Sequence, residues 1–198
     1  MKTRVNFFRK YRCSIRLILM LLVFFLTAGA LMAQHPAEFK AGFTTTDAKG
    51  KTIDGTIYIK GDKIRQEIEE DGATTITILR LDRKLSWILM PENKYMEVPL
   101  PIDPNQPQNQ EYGIATIGQE TVNGYNCEII QYTYTKKSLG VLVQWIAKDL
   151  NYAVKTEAKN AKGKLTSRTE YHNITPTKLA DSLFEIPAGY SKFSLFGN

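Results

Sequence analysis

Apolar and polar residues alternate with a period of two through most of the chain between residues 37 and 100. In "AEFKAGFTT" the apolar positions are Phe39, Ala41 and Phe43. In "TIDGTIYIK" they are Ile53, Ile57 and Ile59, interleaved with Asp54, Thr56 and Lys60. In "KIRQEIEE" Ile64 and Ile68 alternate with Arg65, Glu67 and Glu69. A β-strand sends successive side chains to opposite faces, so this alternation predicts half-buried antiparallel strands. "DAKGK", "GD" and "DG" separate the runs, and Gly and Asp tolerate the positive φ of tight hairpin turns. Residues 37–70 therefore read as a three-stranded meander, which "ATTITILRL", "LSWILM" and "KYMEVPL" extend.

The pattern then breaks. "PLPIDPNQPQNQEYG" has prolines at a spacing that neither a helix nor an inner strand accommodates, so 99–112 reads as a surface loop. Strands resume in "ETVNGYNCEIIQYTYT", a hairpin around Asn123-Gly124, then in "VLVQWIAK", "YAVKTEAK" and "LTSRTEYHNI". In "TPTKLADSLFEIPAGY" Thr175 stands as a cap and Pro176 at a first helical position, which predicts a short turn of helix there. No long amphipathic helix is present in the pattern after residue 33. About ten strands joined by short turns predict a mainly β domain.

Three runs carry apolar residues on both faces: "ILRL", "WILM" and "VLVQWI". Such strands are either covered on each side or belong to a concave wall that meets something apolar.

The N-terminus changes the picture of charge. Lys2, Arg4, Arg9, Lys10, Arg12 and Arg16 precede an apolar run from Leu17 to about Leu26, and Ala28, Gly29, Ala30 and Ala33 follow. Basic, apolar, small is the order of a secretory signal peptide. The apolar run is shorter than the roughly 20 residues that span a bilayer, although an uncleaved anchor is the rival reading. Cleavage is expected after Ala33, with Ala30 the alternative, leaving a single domain at 34–198 in the periplasm or secreted. Cys13 precedes the apolar run, so it is not the lipidated cysteine of a lipoprotein signal. The whole chain carries 26 Lys and Arg against 20 Asp and Glu; without residues 1–33 the two signs balance. A chain-wide basic footprint for nucleic acid is thus absent. One cysteine remains, Cys127, so no internal disulfide forms in the exported part, and its place in "NCEII" is that of a small buried apolar residue.

Few residues carry chemistry. His35 lies at the expected new N-terminus, and His172 shares a polar strand face with Arg168 and Glu170. One well-placed His and one Cys do not make a zinc set without several carboxylates, and no nucleophile elbow occurs. Glu67 and Glu69 fall on one strand face roughly 7 Å apart, near a retaining glycosidase spacing, though paired carboxylates on a hairpin usually form a solvated face. No Gly-rich phosphate loop occurs. The reading is therefore of a non-enzyme without a cofactor or metal.

Beside this stands a resemblance. "GTIYIKGDKIRQEIEEDG…TILRLDRKLSWILMPENKYMEVP", "ETVNGYNCEIIQYTY" and "ADSLFEIPAGY" resemble the phrases of an uncharacterised family of exported bacterial proteins. The matching positions are Gly61, Asp62, Lys63, Arg65, Asp82, Trp87, Pro91, Lys94, Tyr95, Gly124, Tyr125, Cys127, Phe184, Pro187 and Gly189. That family looks like a relative of the periplasmic lipoprotein carriers and outer-membrane lipoprotein-sorting proteins, the LolA/LolB-like superfamily. The resemblance implies a strongly curved antiparallel sheet forming an incomplete, half-open barrel, whose concave face holds acyl chains beneath a helical lid. The helix that precedes the first strand in the carriers is missing here, and no lid helix is evident in mid-chain.

The leading expectation is an exported binding protein of the cell envelope, holding a lipid, an acyl chain or a lipid-modified partner, with peripheral membrane contact. Phe39, Phe43, Ile57, Ile59, Trp87, Leu89, Met96, Val98 and Trp145 are the candidate ligand-binding residues, with Trp87, Leu89, Met96 and Val98 placed together on the covered side of the wall. The alternative is a structural or protein-interaction module with a self-filled core and an envelope protein partner. A third class, a closed outer-membrane barrel, is permitted by strand length and alternation.

Overall fold

The computed structural model describes residues 37–70, 72–100 and 112–193. The expected signal peptide with its cleavage site, His35 and most of the Pro-rich loop lie outside the described residues. All described residues belong to one compact unit.

That unit is mainly β. Its strands are β1 (Glu38–Asp47), β2 (Thr52–Lys60), β3 (Lys63–Glu70), β4 (Ala73–Arg80), β5 (Leu85–Met90), β6 (Lys94–Pro99), β7 (Tyr112–Val122), β8 (Tyr125–Tyr134), β9 (Val141–Ala147), β10 (Tyr152–Lys159), β11 (Leu165–Pro176) and β12 (Ser191–Lys192). Helix is confined to three 3-10 turns, Leu81–Arg83, Lys137–Leu139 and Asp181–Phe184. The strands form one sheet in the order β12-β6-β5-β4-β3-β2-β1-β11-β10-β9-β8-β7. Two antiparallel meanders, β1–β6 and β7–β11, are joined where β1 pairs with β11, and only the β12–β6 pair is parallel. The sheet curves into an open barrel and does not close: β7 and β12 remain its edges. The closed membrane barrel is therefore not the architecture formed, since closure requires those two edges to pair.

Local sequence explains the turns. Asn123 and Gly124 sit at φ 48° and 85°, the two left-handed positions of a tight hairpin. In "DAKGK" the Asp47 carboxylate accepts from the amides of Lys49 and Lys51 at 2.8 and 2.9 Å. In "NAKGK" the Asn160 side chain does the same for Lys162 and Lys164 at 2.9 and 3.1 Å. Each is a side chain standing in for a turn of backbone.

One close approach sets the meander's packing. Phe43 of β1 lies opposite Gly55 of β2. A Cβ at residue 55 would fall 2.4 Å from the Glu67 carbonyl oxygen and 2.6 Å from the Phe43 ring. The ring occupies the space a side chain would need, so glycine is required there.

Three expectations are corrected. The sheet has twelve strands rather than about ten. "YGIATIG", which the alternation assigns to no strand, belongs to β7; its glycines and its edge position hide the pattern. The turn of helix forms at Asp181–Phe184, and Pro176 instead ends β11 opposite Phe39, where its missing N–H is tolerated.

Candidate functional site

Directly opposed residues of antiparallel strands share a face, so the registers sort the side chains wherever no bulge intervenes. One row crosses β1 to β6 as Phe39, Ile59, Ile64, Leu79, Ser86 and Val98. The next runs Ala41, Ile57, Gln66, Thr77, Ile88 and Met96. These rows form the inner face of the first meander. It continues over β11 and β10, where Tyr171 lies opposite Phe43 and stacks on Tyr152, whose ring meets Phe39 edge-on at 5.5 Å. Phe39, Phe43, Ile57 and Ile59 are fully buried. A wall of mostly aliphatic and aromatic side chains results, interrupted by the buried polar residues Gln66, Thr77 and Ser86.

The opposite, outer face is built differently. Ile78, Trp87 and Leu89 form a cluster with Leu179 and Phe184, flanked by Tyr58, Leu183, Ile186 and Tyr190. The chain after β11 thus lies across β2–β6 as a strap. Basic side chains hold its backbone: Lys60 donates to the Leu179 carbonyl at 2.8 Å, Arg65 to that of Leu183 at 3.1 Å and Arg80 to that of Phe184 at 3.3 Å. Asp181 takes Lys63 at 2.7 Å. Arg80 also grips Asp82 through two bonds of 2.8 and 2.7 Å and bonds Glu185. That bidentate bond holds the Asp82 carboxyl below its ordinary range, and the same partners raise Arg80 further. The strap ends as β12 on the β6 edge, where Lys192 donates to Glu97 at 2.7 Å and Glu97 accepts the Trp87 indole N–H at 3.0 Å.

The registers divide the nine candidate residues. Phe39, Phe43, Ile57, Ile59, Met96 and Val98 share the inner face. Trp87, Leu89 and Trp145 point outward. The grouping of Trp87 and Leu89 with Met96 and Val98 is therefore corrected: Trp87 opposes Glu97, while Met96 opposes Ile88. The two sets differ by one residue in register, and one residue reverses the face. The apolar residues on both faces of β4 and β5 are explained by the strap, which covers the outer side.

Trp145 anchors a smaller outer cluster in the second meander with Val122, Cys127, Val143, Ala147 and Val154. Its indole donates to Glu120, and the Lys155 ammonium stands 4.0 Å from its ring centre. Cys127 is buried and free, and burial raises its thiol pKa.

The remaining candidates for chemistry have structural partners. The His172 ring lies against Gly42, at 2.3 Å from where a Cβ there would stand, and its Nδ1 is 3.3 Å from the Asn173 amide nitrogen. Glu67 accepts from Arg65 at 2.7 Å. Among the described residues no group of three or more His, Cys, Asp or Glu is placed to hold a metal.

Polar groups inside the wall were not singled out by the sequence pattern. Thr45 and Thr169 satisfy each other at 2.9 Å. Tyr171 and Tyr152 stack on each other, and burial pushes both phenols well above their ordinary range. Ser86 is different: it is fully buried, and among the described residues its hydroxyl has no hydrogen-bond partner. A serine inside "LSWILM" is visible in the sequence; its orphaned state is not.

A half-open, strongly curved antiparallel sheet with one apolar inner wall defines the class. The chain belongs to a family described as a domain of unknown function (DUF4412), whose model matches residues 42–153. None of the curated proteins compared with it matches. Its fold is similar to that of an uncharacterised conserved protein from Thermus thermophilus, at TM-score 0.59 and 12% identity, over 79% of this chain and 90% of that one. It is also similar to the MucA/MucB complex structure of Pseudomonas aeruginosa, at TM-score 0.56 and 16% identity, over 76% of this chain and 56% of that one. A putative outer membrane lipoprotein-sorting protein domain from Vibrio parahaemolyticus aligns over 82% of this chain and 94% of that one, at TM-score 0.37 and 12% identity. Among the described residues no helix is long and apolar enough to cross a membrane.

Proposed function

We propose that this chain is an exported, non-catalytic binding protein of the cell envelope whose inner wall holds an acyl chain, of a lipid or of a lipid-modified protein. The observation that carries the reading is the pair of inner rows, which align apolar side chains across six consecutive strands while the strap occupies the other face. An acyl chain laid on such a wall gains about 0.8 kcal/mol for each methylene removed from water, with no covalent step. Export is inferred from the basic, apolar and small segments of residues 1–33, and the mature protein would then be the single domain 34–198 of the periplasm.

Mass spectrometry tests both parts. The intact mass of protein recovered from the periplasm should begin at Gln34. An organic-solvent extract of the same sample should contain a stoichiometric lipid. Met96→Glu places a charge on a half-buried inner position of β6, and it should empty the extract while circular dichroism stays that of the folded protein. A folded variant that keeps its lipid would remove the β6 end of the wall from the site.

A second reading is favoured by β7. It is an edge strand with Tyr112, Ile114 and Ile117 exposed, and it carries no charge before Glu120. Natural edges are usually blunted by charge or proline, so this one suits strand addition by a protein partner. MucB, whose fold is similar, was crystallised with MucA. Benzoylphenylalanine introduced at position 114 and photolysed in the periplasm would insert into a C–H bond of such a partner and trap it; an absence of any adduct would sink this alternative.

A further inference from the structure

The geometry points to Ser86 as the polar anchor of the inner wall: its hydroxyl donates to the carbonyl oxygen of a fatty-acyl ester or amide, whose hydrocarbon then runs over the row beside it. The inference rests on the acyl reading and narrows it, because a plain hydrocarbon has no such acceptor.

Three observations combine. Ser86 is the one polar member of the row Phe39, Ile59, Ile64, Leu79, Ser86 and Val98, between Leu79 and Val98 on its two neighbouring strands. It is fully buried, and its hydroxyl finds no partner among the described residues. The other inner hydroxyls that are buried near the β1–β11 seam are satisfied within the sheet, as Thr45 with Thr169. A buried hydroxyl without a partner is costly, and alanine would fill the same place in the row without that cost. The site also lies one rung from the Leu81–Arg83 turn, so a bound carbonyl would sit near one rim of the wall with the aliphatic residues beyond it.

The test is displacement of the apolar fluorophore anilinonaphthalene sulfonate from the purified, delipidated protein. Methyl laurate is compared with the alkane of equal length. One hydrogen bond predicts about a five- to tenfold advantage for the ester. Ser86→Ala should remove that advantage, leave the alkane's displacement unchanged and leave the melting temperature equal or higher. Ser86→Thr, which keeps the hydroxyl, should retain the ester preference if it melts as the parent does.

An equal displacement by ester and alkane, or an ester preference that survives Ser86→Ala, overturns the role of Ser86 and leaves the acyl reading standing. If neither ligand displaces the fluorophore, the acyl reading fails and the anchor with it. A synthetic lipopeptide competing better than a diacyl phospholipid would assign the carbonyl to a lipid-modified protein; the reverse order would assign it to a free lipid. Either order supports the anchor when Ser86→Ala weakens the better competitor; a competition unchanged by Ser86→Ala overturns it.

Discussion

The two meanders solve the same problem on their outer faces by different means. Each buries a tryptophan whose indole N–H is bound by a carboxylate and whose ring is overlain by cations. Trp87 has Glu97, with Arg80 and Arg83 at 5.9 and 5.7 Å from its ring; Trp145 has Glu120, with Lys155 at 4.0 Å. Around Trp87 the cover is imported from the end of the chain, with Phe184 fully buried at its centre. Around Trp145 the cover is local, made from small residues such as Ala147 and Cys127, with Tyr125 packed against them and Lys155 over the ring. The difference teaches which outer face borrows its cover from a distant part of the chain. The strap seals the outer side of the first meander, so the acyl chain proposed above would have to enter among the inner side chains, which are themselves buried.

The largest effect should come from the centre of the strap. Phe184→Ala removes a fully buried ring and should cost about 4 kcal/mol in denaturant unfolding. Val154→Ala in the locally covered cluster removes two methyl groups and should cost about 2 kcal/mol. A Phe184→Ala cost no greater than that of Val154→Ala would show that the strap is a loose attachment and that the first meander seals itself.

Next come the cations over the tryptophans. The Arg80 side chain is 4% exposed and binds Asp82, Glu185 and the Phe184 carbonyl, while Asp82 and Glu185 remain 35% and 42% exposed. Arg80→Met strands those partners, and their access to water limits the loss to about 2 kcal/mol, below the roughly 3–5 kcal/mol of a fully buried pair. Lys155→Met breaks a 3.9 Å contact with Glu120, itself 48% exposed, and should cost under about 1 kcal/mol. Equal losses would mean that the two cations do the same work and that strap anchoring adds nothing.

Much of the sheet was legible because period two is a local property. Phe39, Ala41 and Phe43, or Ile57 and Ile59, announce one buried face within a few residues, and Asn123-Gly124 announces its turn. The family phrases and the curved open sheet were legible too. The strap was not: Arg80 reaches Glu185 across 105 positions, and Arg65 reaches Leu183 across 118. Nothing local in "ADSLFEIPAGY" says which face it covers. The apolar pairs of β4 and β5 showed that both sides are buried without saying by what. Trp87 and Leu89 looked like wall residues for the same reason, since aromatic size is visible in a sequence and strand parity depends on a register fixed elsewhere. The inner site is half legible on these grounds: the apolar rows are, the orphaned hydroxyl of Ser86 is not.

The smallest expected effect sharpens the comparison through acid. Three carboxylates on the strapped side are held below their ordinary ranges: Asp82 by Arg80, Asp181 by Lys63 and Lys60, and Glu97 by Lys192 and the Trp87 indole. A group whose folded pKa is depressed contributes its stability in full above the unfolded value, about 3.9 for Asp and 4.3 for Glu, and loses it as pH falls through the folded value. The strap should therefore loosen below about pH 4. The chain has two tryptophans, one in each outer cluster, so Trp145→Phe and Trp87→Phe give proteins whose emission reports one meander at a time. On acidification the Trp87 signal should shift first, and Asp82→Asn should flatten that early step because its contribution is already absent at neutral pH. A common midpoint for both tryptophans would mean that the strap and the second meander release together, and that the two covers, different as they are in construction, belong to one cooperative unit.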